Sequence, residues 1–543
     1  MSILLCIVLI VPGQRIQREK VVVEIGTGTW CPYCPGSAMG ADELVENGHD
    51  VAIIEYHSGD DYENVYSSTR VNYYGVPGYP TAYFDGLLPY VGGSSTQSMY
   101  PQYLPRVNNR IGVTSPFTIG VTGTTSGLID FNIEVTVEKV GTNNSANLKL
   151  HTVVTESGIE EFWQGQDHLN YVCRLMVPNQ NGTAVSFASG NVQTYQIQFS
   201  LNPEWVPENC ELVVFVQDHS TKEIHQAVLY NLTDFGAAFE NDAAMKEISS
   251  IPSEVCSGTI APVVTIRNHG NAPITSLDIY YSMNKGAYSV LPWSGNLAYL
   301  EMADVPLPAI SYEVGDDNEL KIYSSNPNGN PDEFPSNDTI VRNIPKGSYT
   351  PSAVNLIVRT DANPQETTWE LKNSAGDVLY SGGPYSSSGQ MIMEEFELSE
   401  VDCYSFNMID AGGNGLANPG FYMLYYGTNT VIIQGTTFGA EDMIEFTADN
   451  SVGIIDTKET SSLLVFPNPA TDLLNIDLSG MKEAGNISIF SMDGRKVWSE
   501  EFDLAGESSN VRTIDMTANK SGIYVVRVVS GNSIYTEKVT LNR

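Results

Sequence analysis

The chain has 543 residues, 42% hydrophobic and 10% aromatic, with 27 basic against 64 acidic side chains and a net charge of −37. One hydrophobic core does not extend over such a length, and the composition is globular, so about three to five domains are expected. The charge argues against nucleic acid and anionic lipid surfaces as partners, because both repel such a chain.

Residues 1–13, MSILLCIVLIVPG, contain an apolar run ending before Pro12. It is far shorter than the roughly 20 residues a membrane-spanning helix needs. It reads as the hydrophobic part of a secretory signal with cleavage after Gly13, although the usual preceding basic residues are missing. A buried first strand is the alternative reading. Export would place the seven cysteines in an oxidising compartment where disulfides persist, and Cys6 would leave with the signal.

From 14 to 112 strand and helix alternate. VVVEI (21–25) and VAIIEY (51–56) are short apolar runs of the kind buried on both faces of a parallel sheet. Between them a helix is predicted from Pro35 to Asn47, with Gly48 at its end. A second helix is predicted from Glu63 to Tyr74, stopped by Gly75. GYPTAYFDG (78–86) reads as a strand closed by an Asp-Gly turn, and a third helix runs from Gln97 to about Arg110.

The stretch GTGTWCPYCPG (26–36) places Cys31 and Cys34 between the first strand and the first helix. Three readings compete. A zinc site needs four ligands, and neither a second Cys-x-x-Cys nor a His pair at ligand spacing accompanies this one. A structural staple closing so short a ring removes only about 2 kcal/mol of unfolded-state freedom. A redox pair gains from the helix start, whose partial positive charge lowers a thiol pKa. Cys31 would then be the exposed nucleophile, and Cys34, one turn inside the helix, the resolving thiol.

The order strand, WCPYC, helix, strand, helix, YPT, strand resembles the thioredoxin superfamily. That resemblance implies a cis proline facing the cysteines, which maps onto Pro80 of Tyr79-Pro80-Thr81, and a buried acid ahead of the motif, for which Glu24 is the candidate proton shuttle. Glu24 stands one residue farther from Cys31 than the family spacing, and an edge or surface carboxylate is the alternative. The longer phrase VVVEIGTGTWCPYCPG…GYPTAYFDG, with YVCRLMVPNQNGT farther on, resembles the thioredoxin-like outer-membrane-protein-28-type family of Gram-negative bacteria over roughly residues 20–235.

Beyond 112 the texture is all-β, with short alternating strands and turn clusters between them. We expect β-sandwich domains at 113–243, 244–350 and 351–455, and a final one at 456–543. Shared domain membership pairs Cys173 with Cys210, whereas Cys256 and Cys403 are expected as buried thiols or an inter-domain bridge. Residues 256–345 resemble an immunoglobulin-like adhesion module. In 352–448, Asp361, Glu366, Asp410 and Asn414 are candidate calcium ligands, with turn formation the competing role. The end of the chain carries Pro467-Asn468-Pro469, Asp493-Gly494-Arg495 with Val497, and Ser521-Gly522-Ile523-Tyr524-Val525. These pieces resemble the C-terminal sorting domain of the type IX secretion system, which implies export across both membranes and that secretion machinery as a partner.

The expected architecture is thus a multidomain chain: an N-terminal α/β thioredoxin-like domain followed by several all-β sandwich, immunoglobulin-like domains. Two functions remain open. One is a surface or secreted thiol–disulfide oxidoreductase acting on protein thiols, needing no cofactor beyond its own Cys31–Cys34 disulfide. The other is a non-catalytic adhesion or binding protein whose CPYC disulfide is structural.

Overall fold

A computed structural model describes residues 15–398, 401–427, 430–449, 463–478, 481, 484–491, 495–503, 511–530 and 533–542. The signal segment with Cys6, the linker around 455 and the Asp493-Gly494 turn lie outside the described residues. Of the described residues 52% are strand and 9% helix, arranged in several sheets.

The head opens with β1 (Val21–Thr27), α1 (Pro35–Glu46), β2 (Val51–His57), α2 (Val65–Tyr74), β3 (Thr81–Phe84), β4 (Leu87–Val91) and α3 (Tyr100–Ile111). Their boundaries follow from local chemistry. Pro35 occupies the first turn of α1. Asn64 caps α2 by accepting hydrogen bonds from the Tyr66 and Ser67 amides, and Gly75 ends it in the left-handed region at φ 65°. The β3–β4 turn is Asp85-Gly86, both residues with positive φ, as a tight hairpin requires. A Cβ on Gly86 would also strike the Lys222 carbonyl oxygen.

Then come β5 (Phe117–Ser126), β6 (Asp130–Lys139), β7 (Leu148–Glu156), β8 (Ile159–Trp163), β9 (Gln166–Leu169), β10 (Val172–Val177), β11 (Thr183–Ala184), β12 (Val192–Ser200), β13 (Cys210–Asp218) and β14 (Ile224–Asn231). The 112/113 boundary does not separate two sheets. One mixed sheet runs β14-β13-β7-β10-β2-β1-β3-β4, with β11 also paired to β7. β10 lies parallel to β2 through Val172 opposite Glu55, and the Glu55 amide donates to the Tyr171 carbonyl at 2.8 Å. The physical reason is burial on both faces: β7 reads LKLHTVVTE and is buried at every position but Lys149.

On one face, Val21, Val23 and Ile25 pack under α1 and α3. On the other, Val22, Ile54 and Tyr56 pack with Val153 and Phe215 beneath α2. The far part of the sheet turns Leu150, Val154 and Val214 toward a second sheet, β12-β6-β5 with Gly236–Ala237, closing a sandwich around Phe117, Phe131 and Ile133.

Three further β-sandwiches follow. The first pairs a three-stranded sheet (Ala243–Ser249, Val263–Asn268, Met302–Pro306) with a four-stranded one around Val264, Ile279 and Ile322. The next has five- and four-stranded sheets around Leu356, Trp369, Phe406 and Phe446. The last surrounds Ile476, Ile489, Val526 and Val539.

Two of the remaining cysteines bridge across domains: Cys256 joins Cys403. The expected Cys173–Cys210 pairing is corrected, because both are buried free thiols. They flank β7 on opposite edges, Cys173 opposite Thr155 and Cys210 opposite Glu156. Two strand spacings separate their backbones by about 9–10 Å, beyond disulfide reach. They also face different cores. Burial pushes the Cys210 thiol up to about 12 and Cys173 upward as well. Non-reducing peptide mapping should therefore recover Cys256 linked to Cys403, with Cys173 and Cys210 alkylated only after denaturation. A 173–210 cross-linked peptide would contradict the fold.

Candidate functional site

β1 ends at Thr27 and a turn carries the chain into α1. The Cys31 amide donates to the Gly28 carbonyl at 3.0 Å and the Cys34 amide to the Cys31 carbonyl at 3.2 Å. Cys34 is the N-cap of α1, not a residue one turn inside it, and its carbonyl receives the first helical amides from Ser37 and Ala38. Cys31 and Cys34 form a disulfide.

The Tyr79–Pro80 peptide is cis and lies across from this pair. Cys31 Sγ is 3.6 Å from the Tyr79 carbonyl oxygen. Gly93 allows Pro80 to approach the CPYC loop: a Cβ there would sit 2.7 Å from Pro80 Cγ and collide with the Tyr33 carbonyl oxygen. Trp30 donates to the Ser58 carbonyl at 2.6 Å and meets Tyr79 edge-on at 5.6 Å.

The sulfurs are not exposed, contrary to the expectation for Cys31. Cys31 is 2% accessible and Cys34 fully buried. They pack against Trp163, Leu169 and Val172. The β8–β9 hairpin supplies the first two and so covers the disulfide. Hydrogen bonds fasten it: Tyr62 Oη to Glu161 at 3.0 Å, Gln164 Nε2 to the Thr29 carbonyl at 3.2 Å, and the adjoining Asn170 Nδ2 to Asp42 at 2.8 Å. Around this cover, Trp30, Tyr33 and Phe162 remain exposed at 50%, 58% and 52%. An open cleft of about 720 Å³ lies beside them, lined by Trp30, Asp60, Tyr62, Phe162 and Trp163.

Glu24 is neither a proton shuttle nor a surface carboxylate. It is buried on the α2 face of the sheet, where it accepts from Arg70 Nε at 3.0 Å, from Arg70 Nη2, from Tyr56 Oη at 2.9 Å and from Tyr74 Oη. Strand alternation turns Ile25 toward α1 and hence Glu24 away from the cysteines.

A carboxylate does stand on the CPYC face, on the next strand. Glu55 sits in register between Ile25 of β1 and Val172 of β10, fully desolvated, and burial pushes its pKa upward. His57 follows on the same face, with Asp60 2.8 Å from Nδ1 and Glu55 3.8 Å from Nε2. Burial alone would depress His57, but these two carboxylates outweigh it and hold the imidazolium up to about 9. Asp60 also accepts from the Thr29 amide at 2.8 Å, tying the cluster to the CPYC loop. The sequence signal was a charged pair, Glu55 and His57, at alternate positions of an otherwise apolar strand.

Of the candidate calcium residues, Asp361 and Asp410 hold turns. Asp361 accepts from the Asn363 and Ala417 amides, Asp410 from the Asn414 and Gly415 amides, and Glu366 lies against Gly412. Among the described residues, three sulfur or carboxylate ligand atoms converge only at Cys256, Cys403 and Glu445, where the cysteines are already bridged.

A His57 pKa raised above its unfolded value stabilises the head fully below about 6.5, and that contribution is lost as pH rises through about 9. Denaturation followed by tryptophan fluorescence should show the head weakening over that window. His57→Gln should lower stability at pH 7 and remove the alkaline slope.

Residues 67–231 match the outer membrane protein Omp28 family, and residues 464–542 match the secretion system C-terminal sorting domain. The ulvan lyase NLR42 of Nonlabens ulvanivorans is 22% identical over 222 residues, 37% of this chain and 40% of that enzyme. Among solved structures, HBP35 of Porphyromonas gingivalis is 17% identical with a TM-score of 0.36, covering 54% of this chain and all of that one. A biofilm-associated protein BSP domain is 9% identical with a TM-score of 0.19, covering 78% and 95%. Such TM-scores do not establish a shared fold. The chain thus carries an Omp28-family segment in its head and a type IX secretion C-terminal sorting domain at its end, and it is exported to the cell surface or secreted.

Proposed function

We propose that this exported protein is a non-catalytic surface binding protein. Its thioredoxin-like head serves as a recognition scaffold, and immunoglobulin-like β-sandwiches connect that head to the sorting domain, whose Asp472 and Thr517 line the same cleft. The observation that carries this reading is the covered disulfide: Cys31 is 2% accessible beneath Trp163 and Leu169. Attack on a disulfide requires an approach to a sulfur atom, and the β8–β9 hairpin occupies that approach. The recognition surface is the exposed aromatic rim of Trp30, Tyr33 and Phe162 beside the cleft, a composition favoured at protein-binding hot spots. Its ligand class is an extended polypeptide. The likeness to the ulvan lyase spans 40% of that enzyme, and lyase activity is not part of the proposal.

The second reading, a thiol–disulfide oxidoreductase, is favoured by one geometry. Cys31 Sγ lies 3.6 Å from the carbonyl that precedes cis Pro80, just ahead of the α1 N-terminus. In that reading the hairpin must swing away before exchange.

Dithiothreitol reduction of the Cys31–Cys34 disulfide, followed by alkylation and mass spectrometry, separates the two. Trp163→Ala should speed reduction about ten-fold or more by opening the cover, since each ten-fold corresponds to about 1.4 kcal/mol of lost protection. Pre-reduced wild type should reduce insulin no faster than Cys31→Ser. Catalysis by the wild type that Cys31→Ser abolishes would overturn the scaffold reading in favour of the second.

A further inference from the structure

The cleft beside the aromatic rim does not end at the head. A second groove of about 790 Å³ shares Phe162 and Asp472 with it. That groove continues between loop 417–420 and the sorting domain, adding the apolar side chains of Pro419, Phe421, Pro467 and Leu473.

Both walls are held in place. Phe466 of the sorting domain is fully buried in one cluster with Phe421 and Met423, its ring 5.8 Å from that of Phe421. Asn418 Nδ2 donates to Asp472 Oδ2 at 2.9 Å. On the head side, the Trp30 indole is fixed by its bond to the Ser58 carbonyl, and Phe162 belongs to the hairpin fastened over the disulfide.

The two halves differ in chemistry. Asp60, Asp61, Glu161 and Asp472 line the first cleft beside Trp30 and Phe162, and no lysine, arginine or histidine among the described residues does. Two cations touch its Tyr62, the His57 ring at 5.4 Å and the Arg174 guanidinium at 5.3 Å. Both are committed to other acids, His57 to Asp60 and Glu55, and Arg174 to Glu156. Asp61 is exposed and has no ion pair among the described residues, and Glu161 meets the neutral phenol of Tyr62. Exposed aromatic faces beside carboxylates without a cation attract positive charge twice, through the ring quadrupole and through Coulomb attraction. The same surface repels an anionic segment.

We propose that the continuous groove takes an extended polypeptide segment with Lys or Arg side chains at its Trp30–Asp61–Phe162 end and apolar side chains at its Phe421–Leu473 end. This rests on the polypeptide-binding reading above and supplies its ligand chemistry. Two grooves meeting at Phe162 and Asp472 suit a chain and not a small cation. A Lys or Arg stem lays its methylenes on the rings while its charged head reaches a carboxylate. The sorting domain forms one wall of the site, so the ligand bridges the head and the end of the chain. Seated on Phe162, it also braces the hairpin that covers Cys31 and Cys34.

The test uses the full chain and labelled peptides of about ten residues, roughly 33 Å when extended. Each has an apolar half of valine and proline and a second half of lysine, serine or glutamate. Fluorescence anisotropy is read at about 0.1 M salt, where exposed charges more than about 10 Å apart are screened. The lysine peptide should bind at least about ten-fold tighter than the serine peptide, with the glutamate peptide weakest. Asp61→Lys should weaken the lysine peptide about ten-fold and leave the serine peptide within about two-fold. Phe162→Ala should weaken both about ten-fold or more, as loss of an aromatic anchor does. Lysine-peptide binding indifferent to Asp61→Lys would assign the attraction to the overall charge of −37 and overturn the proposal. Lysine and serine peptides that bind equally, and are both lost in Phe162→Ala, would overturn the charge preference and leave the polypeptide reading standing. No binding of any peptide up to about 1 mM would overturn both.

Discussion

The pairing of β10 against β2 governs the geometry of the head. A parallel strand with an open edge exposes a row of unpaired amides and carbonyls, and β2 is buried at every position. Val172 opposite Glu55, with the Glu55 amide on the Tyr171 carbonyl, joins β10 to that edge. Because β10 is reached from β7 through the β8–β9 hairpin, the same pairing carries Trp163 and Leu169 over the start of α1. It also seals Glu55 between two strands on the cysteine face. Cover, buried acid and sheet continuity share one cause.

Much of the first half of the head was legible in the sequence. The runs at 21–25 and 51–56 became strands, and the helix stops at Gly48 and Gly75 fell within a residue or two, because glycine and asparagine act locally. Tyr79-Pro80 was found by its motif. What could not be read was long-range. Whether LKLHTVVTE belongs to a separate sandwich or to the centre of an existing sheet depends on what covers its second face, and no local pattern reports that. The same limit misplaced Glu24. The family resemblance implied a proton shuttle for Cys34 there, but the alternation of β1 turns Glu24 to the other side, where Arg70, Tyr56 and Tyr74 have no sequence mark connecting them. The sorting domain was legible because its signal is a set of short phrases in fixed order at the chain end.

The charge imbalance shapes the interior as well as the surface. With 27 basic residues against 64 acidic ones, cations are scarce. Several are drawn inside to accompany buried acids: Arg70 to Glu24, Arg18 and Arg110 to Asp85, Arg174 to Glu156. Removing one partner of such a pair leaves an uncompensated buried charge, a loss of about 3–5 kcal/mol, so these arginines are fixed by the fold and not available to a ligand.

The covered disulfide and a reactive thiol make opposite demands on the same space. An oxidised Cys31–Cys34 pair is uncharged and apolar, so enclosing it beneath Trp163 and Leu169 is favourable. A Cys31 thiolate is charged, and the same enclosure would desolvate it and raise its pKa, opposing what the helix N-terminus provides. The closed hairpin therefore stabilises the oxidised form relative to an active thiolate. Any redox work by this head has to begin with the hairpin leaving, and the energy of seating Trp163 and Leu169 sets how rarely that happens.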